Sequence, residues 1–321
     1  MKNKRLLKNV LGLALFMVFS LFISSCGEDA KPVPTIKVVI NSIDGFKVDI
    51  AAEATDATTW SWDYGDGNVS DTVGGHFYTY TKRGDFTIKC TVTGEGGSAT
   101  ASEVVHIASK KEMLTAHTWV LSEAGGNTCG MGFHITKDLV LSYTVPDLLG
   151  AVISQQTEEE KAEYDFLNEY NDEYTFNTDG SYSVDYKNNT VLTSWVYSNQ
   201  GDYQGACHTI GIFAISIPAL TDATWILHEN ENLSFNTVYD ATLSGISGGV
   251  QESVTFENAD FLTFTNGGFL GLKDYTSTAL LRSISGDNME ITAFFHGYSD
   301  GTLGGANEPS YFINFTFKPK E

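Results

Sequence analysis

From Thr35 to the end of the chain, apolar and polar residues alternate in short runs, and Gly, Asn or Asp breaks each run after a few residues. A period of two sends successive side chains to opposite faces of an extended backbone, so this pattern commits the chain to sheets rather than to amphipathic helices. Two blocks of such runs are separable. The first, residues 35–108, carries Ile36–Ile40, Lys47–Ile50, Thr59–Trp62, Asp85–Thr93 and Ala101–Ile107. The second, residues 110–321, carries ten candidate strands, from Glu173–Asn177 through Ser181–Tyr186, Ser194–Tyr197, Ile210–Ile217, Thr224–His228, Ser253–Phe256, Phe261–Thr265, Ala279–Ile284 and Met289–Phe295 to Tyr311–Lys318. One interruption is helical in period. At Thr157–Asp172, Thr157 and Glu160 form a capping box, and Ala162, Phe166 and Tyr170 share one face.

The expected fold class is therefore all-β: an immunoglobulin-like β-sandwich of roughly 75 residues, then a larger β-sandwich, jelly-roll-like domain or closed barrel with one short helix. Each block is long enough for its own core without disulfides. Cys90 sits in the alternating run Phe86–Val92 and is expected to be a buried thiol. Cys129 and Cys207 remain, and in an oxidising compartment they either pair or stay reduced. Their separation does not match the close spacing of zinc ligands.

The amino terminus has a different chemistry. Lys2, Lys4, Arg5 and Lys8 precede an apolar stretch from Val10 to Phe22, which gives way to Ile23-Ser24-Ser25-Cys26. The stretch is shorter than the roughly 20 residues a membrane-crossing helix needs. Residues 1–25 therefore read as a secretion signal, the alternative being an uncleaved anchor. Ser24-Ser25-Cys26 resembles a bacterial lipobox, with Ile23 where Leu is usual, and this implies lipidation of Cys26. Residues 26–34 form a polar, proline-bearing tether, and Glu28 and Asp29 resemble the signal that sends Bacteroidota lipoproteins to the outer surface. Acyl chains on Cys26 would hold the protein on a membrane without a spanning helix. The expected location is the outer membrane, lipid-anchored and exposed at the cell surface.

The leader holds four of the 19 basic residues and no acidic ones, so the rest of the chain has 15 basic against 40 acidic side chains, a formal charge of −25. Nucleic acid is excluded as a partner, because no basic stripe exists to collect the energy of counterion release.

In the first block, Trp62-Asp63-Tyr64-Gly65-Asp66-Gly67 is followed by His76, Tyr80 and Gly84-Asp85-Phe86-Thr87-Ile88. This series resembles the polycystic kidney disease (PKD) domain, with Tyr64 and Phe86 in place of the family's usual Phe and Tyr. Gly65 and Gly67 suit a tight turn with positive φ, Asp63 and Asp66 can cap its amides, and Trp62 supplies core area. The resemblance implies a spacer or interaction module in which the two aspartates are turn caps and not a metal site.

In the second block, Thr118-Trp119-Val120-Leu121, Asn171–Phe176 with Asp179–Tyr182, and Leu280–Ile284 with Met289–Thr292 are similar to the carboxy-terminal domain that accompanies PKD domains in surface lipoproteins of Bacteroidota glycan-uptake (starch-utilisation-like) loci. That resemblance implies non-catalytic binding of polysaccharide or oligosaccharide for a neighbouring outer-membrane importer. The chain departs from the pattern between Phe133 and Tyr143, where Phe and Tyr replace a tryptophan-rich stretch.

Sugar binding needs aromatic faces against C–H bonds and polar groups around them. Trp195 and Tyr197 would share a face on a strand, with Asp202, Tyr203 and neighbouring amides beside them, and Tyr298 in a glycine-rich loop is a further candidate. Core packing is the stronger reading for Trp195, and more so for Trp119 and Trp225. A structural or adhesive protein acting by protein–protein contact is the alternative, and a glycosidase-like enzyme is the third. No catalysis is expected. Glu163, Asp165 and Glu169 lie in the helical stretch one residue too far apart for the strand motif of laminarinase-like enzymes, and Gly245-Ile246-Ser247-Gly248-Gly249 precedes a strand rather than the helix a nucleophile elbow requires. Seven scattered histidines, none paired at i, i+4, argue against a metal centre, and no cofactor is expected.

Overall fold

The computed structural model describes residues 30–122, 129–141, 143–145, 166–187, 189–200, 212–239, 250–297 and 308–321. Its contacts divide the chain into two units, with the boundary between Ile107 and Ala108.

The first unit has seven strands: β1 (Thr35–Asp44), β2 (Lys47–Thr55), β3 (Thr59–Asp63), β4 (Val69–Ser70), β5 (His76–Thr79), β6 (Gly84–Gly94) and β7 (Gly97–Ile107). They form two antiparallel sheets, ordered β1-β2-β5 and β4-β3-β6-β7. The period-two pattern explains the core directly. On β6, Ile88, Cys90 and Val92 point inward while Thr87 and Lys89 face solvent, and Val48, Ile50, Trp62 and Val105 meet them. Cys90 is fully buried, and burial pushes its thiol up to about 11.

The turn after β3 is held as its residues suggest. Asp63 accepts from the amide of Gly65 at 2.9 Å, and Asp66 accepts from that of Asn68 at 3.0 Å. Gly65 has φ +79°, and a Cβ there would lie 2.8 Å from both the nitrogen and the oxygen of Thr87, so both conformation and space demand glycine. Tyr80 closes the turn by donating to the Tyr64 carbonyl at 2.9 Å. Burial raises the Asp66 carboxyl, but hydrogen bonds from Tyr78 and Asn68 outweigh it and hold the group below its usual range.

The second unit begins with a helix the alternation did not reveal, α1 (Lys110–Ala116), capped by reciprocal bonds between Ser109 and Glu112. Its strands are β8 (Thr118–Leu121), β9 (Cys129–Gly132), β10 (Tyr143–Val145), β11 (Glu173–Phe176), β12 (Tyr182–Asp185), β13 (Thr190–Ser194), β14 (Ile212–Ser216), β15 (Trp225–Tyr239), β16 (Val250–Phe264), β17 (Thr278–Ile284), β18 (Met289–Phe295) and β19 (Tyr311–Pro319). Ten of them make one sheet, ordered β12-β11-β8-β19-β18-β17-β16-β15, with β9 paired to β19 and β10 to β9. Its two ends meet: Tyr182 donates to the Ala223 carbonyl at 2.9 Å, and Trp225 donates to that of Gly180 at 3.0 Å. The sheet thus closes around a common interior, where the β13–β14 hairpin and the Phe269–Leu272 turn contribute to one core with Trp119, Phe176 and Trp225.

The all-β expectation holds, and three local readings change. The two short strands expected at Ser253–Phe256 and Phe261–Thr265 are one strand, β16, whose pairing with β15 shifts register between His228 and Leu233. Asn230 and Asn258 take φ of 55° and 50° there, so the polar break absorbs an irregularity without ending the strand. Of the helix expected at Thr157–Asp172, residues 157–165 lie outside the described residues, and Phe166–Asn171 is a 3-10 turn. The strand expected at Ser194–Tyr197 is instead the end of β13 and the first turn of α2 (Trp195–Gln200).

Candidate functional site

The turn from strand to helix at Ser194 revises the geometry expected of Trp195 and Tyr197. Positions two apart, which share a face on a strand, lie roughly 200° apart around a helix. The side chain of Trp195 lies outside the described residues, as do Asp202, Tyr203, Tyr298, Cys26 and Cys207 and the side chain of Cys129. Tyr197 is half-buried against the core, and its ring lies 5.1 Å from that of Tyr275 at an interplanar angle of 52°. Trp119 and Trp225 are core residues, each donating its indole N–H to a carbonyl, that of Leu114 at 2.9 Å and that of Asn177 at 3.1 Å.

Tyr197 leads to a cleft of about 600 Å³. One wall is Leu233, Ser234 and Phe235 of β15, and another is Tyr275, Thr276, Ser277 and Thr278 on the approach to β17. His296, just after β18, and Pro309, just before β19, complete it. Tyr275 is 42 % exposed and Phe235 half-buried, so two aromatic rings stand among the hydroxyls of Ser234, Thr276, Ser277 and Thr278. The size falls within the range of small-molecule and oligomer sites.

Main-chain pairing fixes this geometry. Lys273 donates its amide to Leu192 at 2.7 Å, and its carbonyl accepts from Ser194 at 3.3 Å, so the segment entering the cleft runs beside β13. Asp274, whose side chain is fully buried, then accepts from the Ser194 hydroxyl, from the His296 amide at 3.1 Å and from His296 Nδ1 at 2.5 Å. Ser194 Oγ in turn accepts from the amide of Tyr197 at 3.1 Å, which caps α2. The ring of His296 meets that of Tyr275 edge-on at 5.7 Å. Beside them, burial holds the Lys273 ammonium below its usual range, and it donates to the Gly267 carbonyl at 2.6 Å.

Serine, aspartate and histidine together raise the question of a nucleophile. The connectivity answers it: a nucleophilic serine must hydrogen-bond the histidine that takes its proton, whereas here the carboxylate lies between the two and receives both. Ser194 is also fully buried. The other group of acids, Glu169 and Asp172, is 2 % and 1 % exposed and takes no part in lining this cleft. Burial, reinforced by Glu169, pushes the Asp172 carboxyl up to about 9. Among the described residues no cluster of three or more His, Cys, Asp or Glu is placed to hold a metal ion. Nor is any described helix long and apolar enough to cross a membrane.

Sequence reasoning missed Asp274, Tyr275 and His296. They are 80 and 102 residues beyond Ser194 in the cases of Asp274 and His296, and nothing local in the chain announces that β17–β18 pairing and the contacts of Lys273 with β13 bring them together.

Residues 29–108 match the family of PKD domains, and the first unit is a PKD domain. Among solved structures, this stretch is similar to the PKD1 domain of Vibrio anguillarum Epp, at 23 % identity over 24 % of this chain and 95 % of that one, with a TM-score of 0.23. It is similar to the PKD1 domain of the Vibrio cholerae metalloprotease PrtV, at 23 % identity over 24 % and 98 % of the two chains, with a TM-score of 0.21. A structure described for the promiscuous specificity of carbohydrate-binding modules from the β-sandwich superfamily aligns over 91 % of this chain and 93 % of its own, at 11 % identity and a TM-score of 0.24. No curated protein matches the chain.

Proposed function

We propose that this protein is a lipid-anchored surface protein that binds extracellular polysaccharide without catalysis, for a neighbouring outer-membrane glycan importer. Its leader and Cys26 would supply the anchor, the PKD domain would act as a spacer, and the second unit would hold the glycan. The observation that carries the reading is the cleft: an exposed Tyr275 and a half-buried Phe235, surrounded by four side-chain hydroxyls. An aromatic face packs against the C–H side of a sugar ring while hydroxyls pair with its edge. A role in protein contact would instead favour a broad apolar patch, and the large apolar residues exposed among the described part of this unit are Val140, Leu141, Ile226 and Tyr275 itself.

A glycan array probed with the full-length chain in detergent tests this. Retention of at least one polysaccharide is expected, with affinity falling about tenfold or more in Tyr275→Ala, since stacked aromatic contacts contribute about 0.5–1.5 kcal/mol beyond the area they bury. A chain that retains no glycan, or a Tyr275→Ala variant that binds as the parent does, would refute the assignment.

A further inference from the structure

His296 is 3 % exposed and forms part of the cleft wall. Its main-chain nitrogen and its Nδ1 both turn to Asp274, and the carboxylate accepts both, so the ring carries a hydrogen on Nδ1. Nε2 has no hydrogen-bond partner among the described residues. Buried polar atoms are normally paired, and an orphan at the wall of a cleft marks a place where something else supplies the partner. The ring itself is well held. Asp274 fixes one edge, the Ser194 hydroxyl fixes Asp274, and the edge of the Tyr275–His296 ring pair limits rotation.

We infer that His296 Nε2 is the ligand-reading atom of this cleft and that it takes an uncharged, hydroxyl-bearing ring. This rests on the carbohydrate assignment above and narrows it to neutral glycans. A hydroxyl serves Nε2 in either protonation state, donating to the neutral imidazole and accepting from the imidazolium. A carboxylate or sulfate ester only accepts, and so pairs with the imidazolium alone. Such a group would also lie beside Asp274 in a cleft with no Lys or Arg among its lining residues, on a chain whose formal charge is −21. Asp274 and Ser194 are positioning residues: they aim the imidazole and do not meet the ligand.

The test uses the full-length chain against dextran, galactomannan and xylan on one side and polygalacturonate and dextran sulfate on the other. Neutral polymers are expected to bind and the acidic ones to fail. His296→Asn places an amide where Nδ1 was, keeping the bond to Asp274 and emptying the ligand side, and should weaken binding about tenfold, the size of one net hydrogen bond. His296→Gln sacrifices the Asp274 bond but returns an amide to the Nε2 position, and should bind better than His296→Asn; a purely structural histidine would give the reverse order. Tyr275→Ala separates the two claims. If wild type binds glycan and Tyr275→Ala loses it, while His296→Asn is unaffected or the acidic polymers bind preferentially, the role of His296 is wrong and the carbohydrate assignment stands. If none of the neutral polymers binds wild type, the inference falls, and the glycan array decides whether the assignment falls with it. Should His296→Asn fail to fold, the neutral-against-acidic comparison on the wild-type chain still decides.

Discussion

Replacing Asp274 by alanine tests whether the cleft is held from beneath by a buried carboxylate. Three donors converge on that side chain, the Ser194 hydroxyl and both the amide and Nδ1 of His296. The Ser194 hydroxyl can rotate to another acceptor, but the two His296 donors are fixed by the backbone and by the ring. Each buried donor left unpaired costs about 1–3 kcal/mol, so Asp274→Ala should destabilise the second unit by about 2–6 kcal/mol, centred near 4. For a unit of this size each kcal/mol moves Tm by about 2–4 °C, so a shift of about 8–16 °C is expected at the centre of that range. Differential scanning calorimetry of the full-length chain reads it directly. Asp274→Asn keeps one acceptor oxygen and should fall between wild type and alanine. A shift below about 2 °C for Asp274→Ala would mean that the His296 donors find other partners and that the carboxylate does not support the cleft.

Two further outcomes follow from local geometry. Gly65→Ala combines a positive φ with a Cβ 2.8 Å from the Thr87 backbone and should destabilise the PKD domain by about 2–4 kcal/mol, whereas Gly67→Ala, with φ +94° and open space, should lose only about 1–2 kcal/mol; equal losses in urea titration would contradict the steric account. Burial raises the folded-state value of Asp172 above its unfolded one, so the native state holds a proton the unfolded chain releases, and stability falls as pH rises from about 4 towards 9. The slope for one proton is at most about 1.4 kcal/mol per pH unit. Asp172→Asn, which keeps a donor facing Glu169, should flatten that slope and stabilise the protein at pH 8, and an unchanged pH profile of Tm would count against a raised Asp172 carboxyl.

How far the sequence could be read depended on the range of the interactions involved. The turn at Asp63–Gly67 was legible because its caps and glycines act within five residues of one another. Strand positions such as Tyr182–Asp185 were legible because burial on a sheet follows the chain's own alternation. Helix α1 carried a readable signal, Ser109 with Glu112 three residues on, but its seven residues are too few for helical periodicity to stand out. The run at Ser194 reads as extended until its surroundings are known, because Ser194 and Tyr197 start a helix only once the serine hydroxyl is fixed by Asp274.

The sequence by itself determined an all-β chain, the first unit's core, the tight turn of its PKD domain and the buried state of Cys90, since each follows from neighbours along the backbone and the period of two. Only the tertiary structure decided where a ligand could sit. The β17–β18 register, and the pairing of Lys273 beside β13, bring Ser194 and His296 within hydrogen-bond reach of Asp274. Contacts between residues so far apart are set by which strands pair and in what register, and alternation, which repeats identically on every strand, carries no record of that choice.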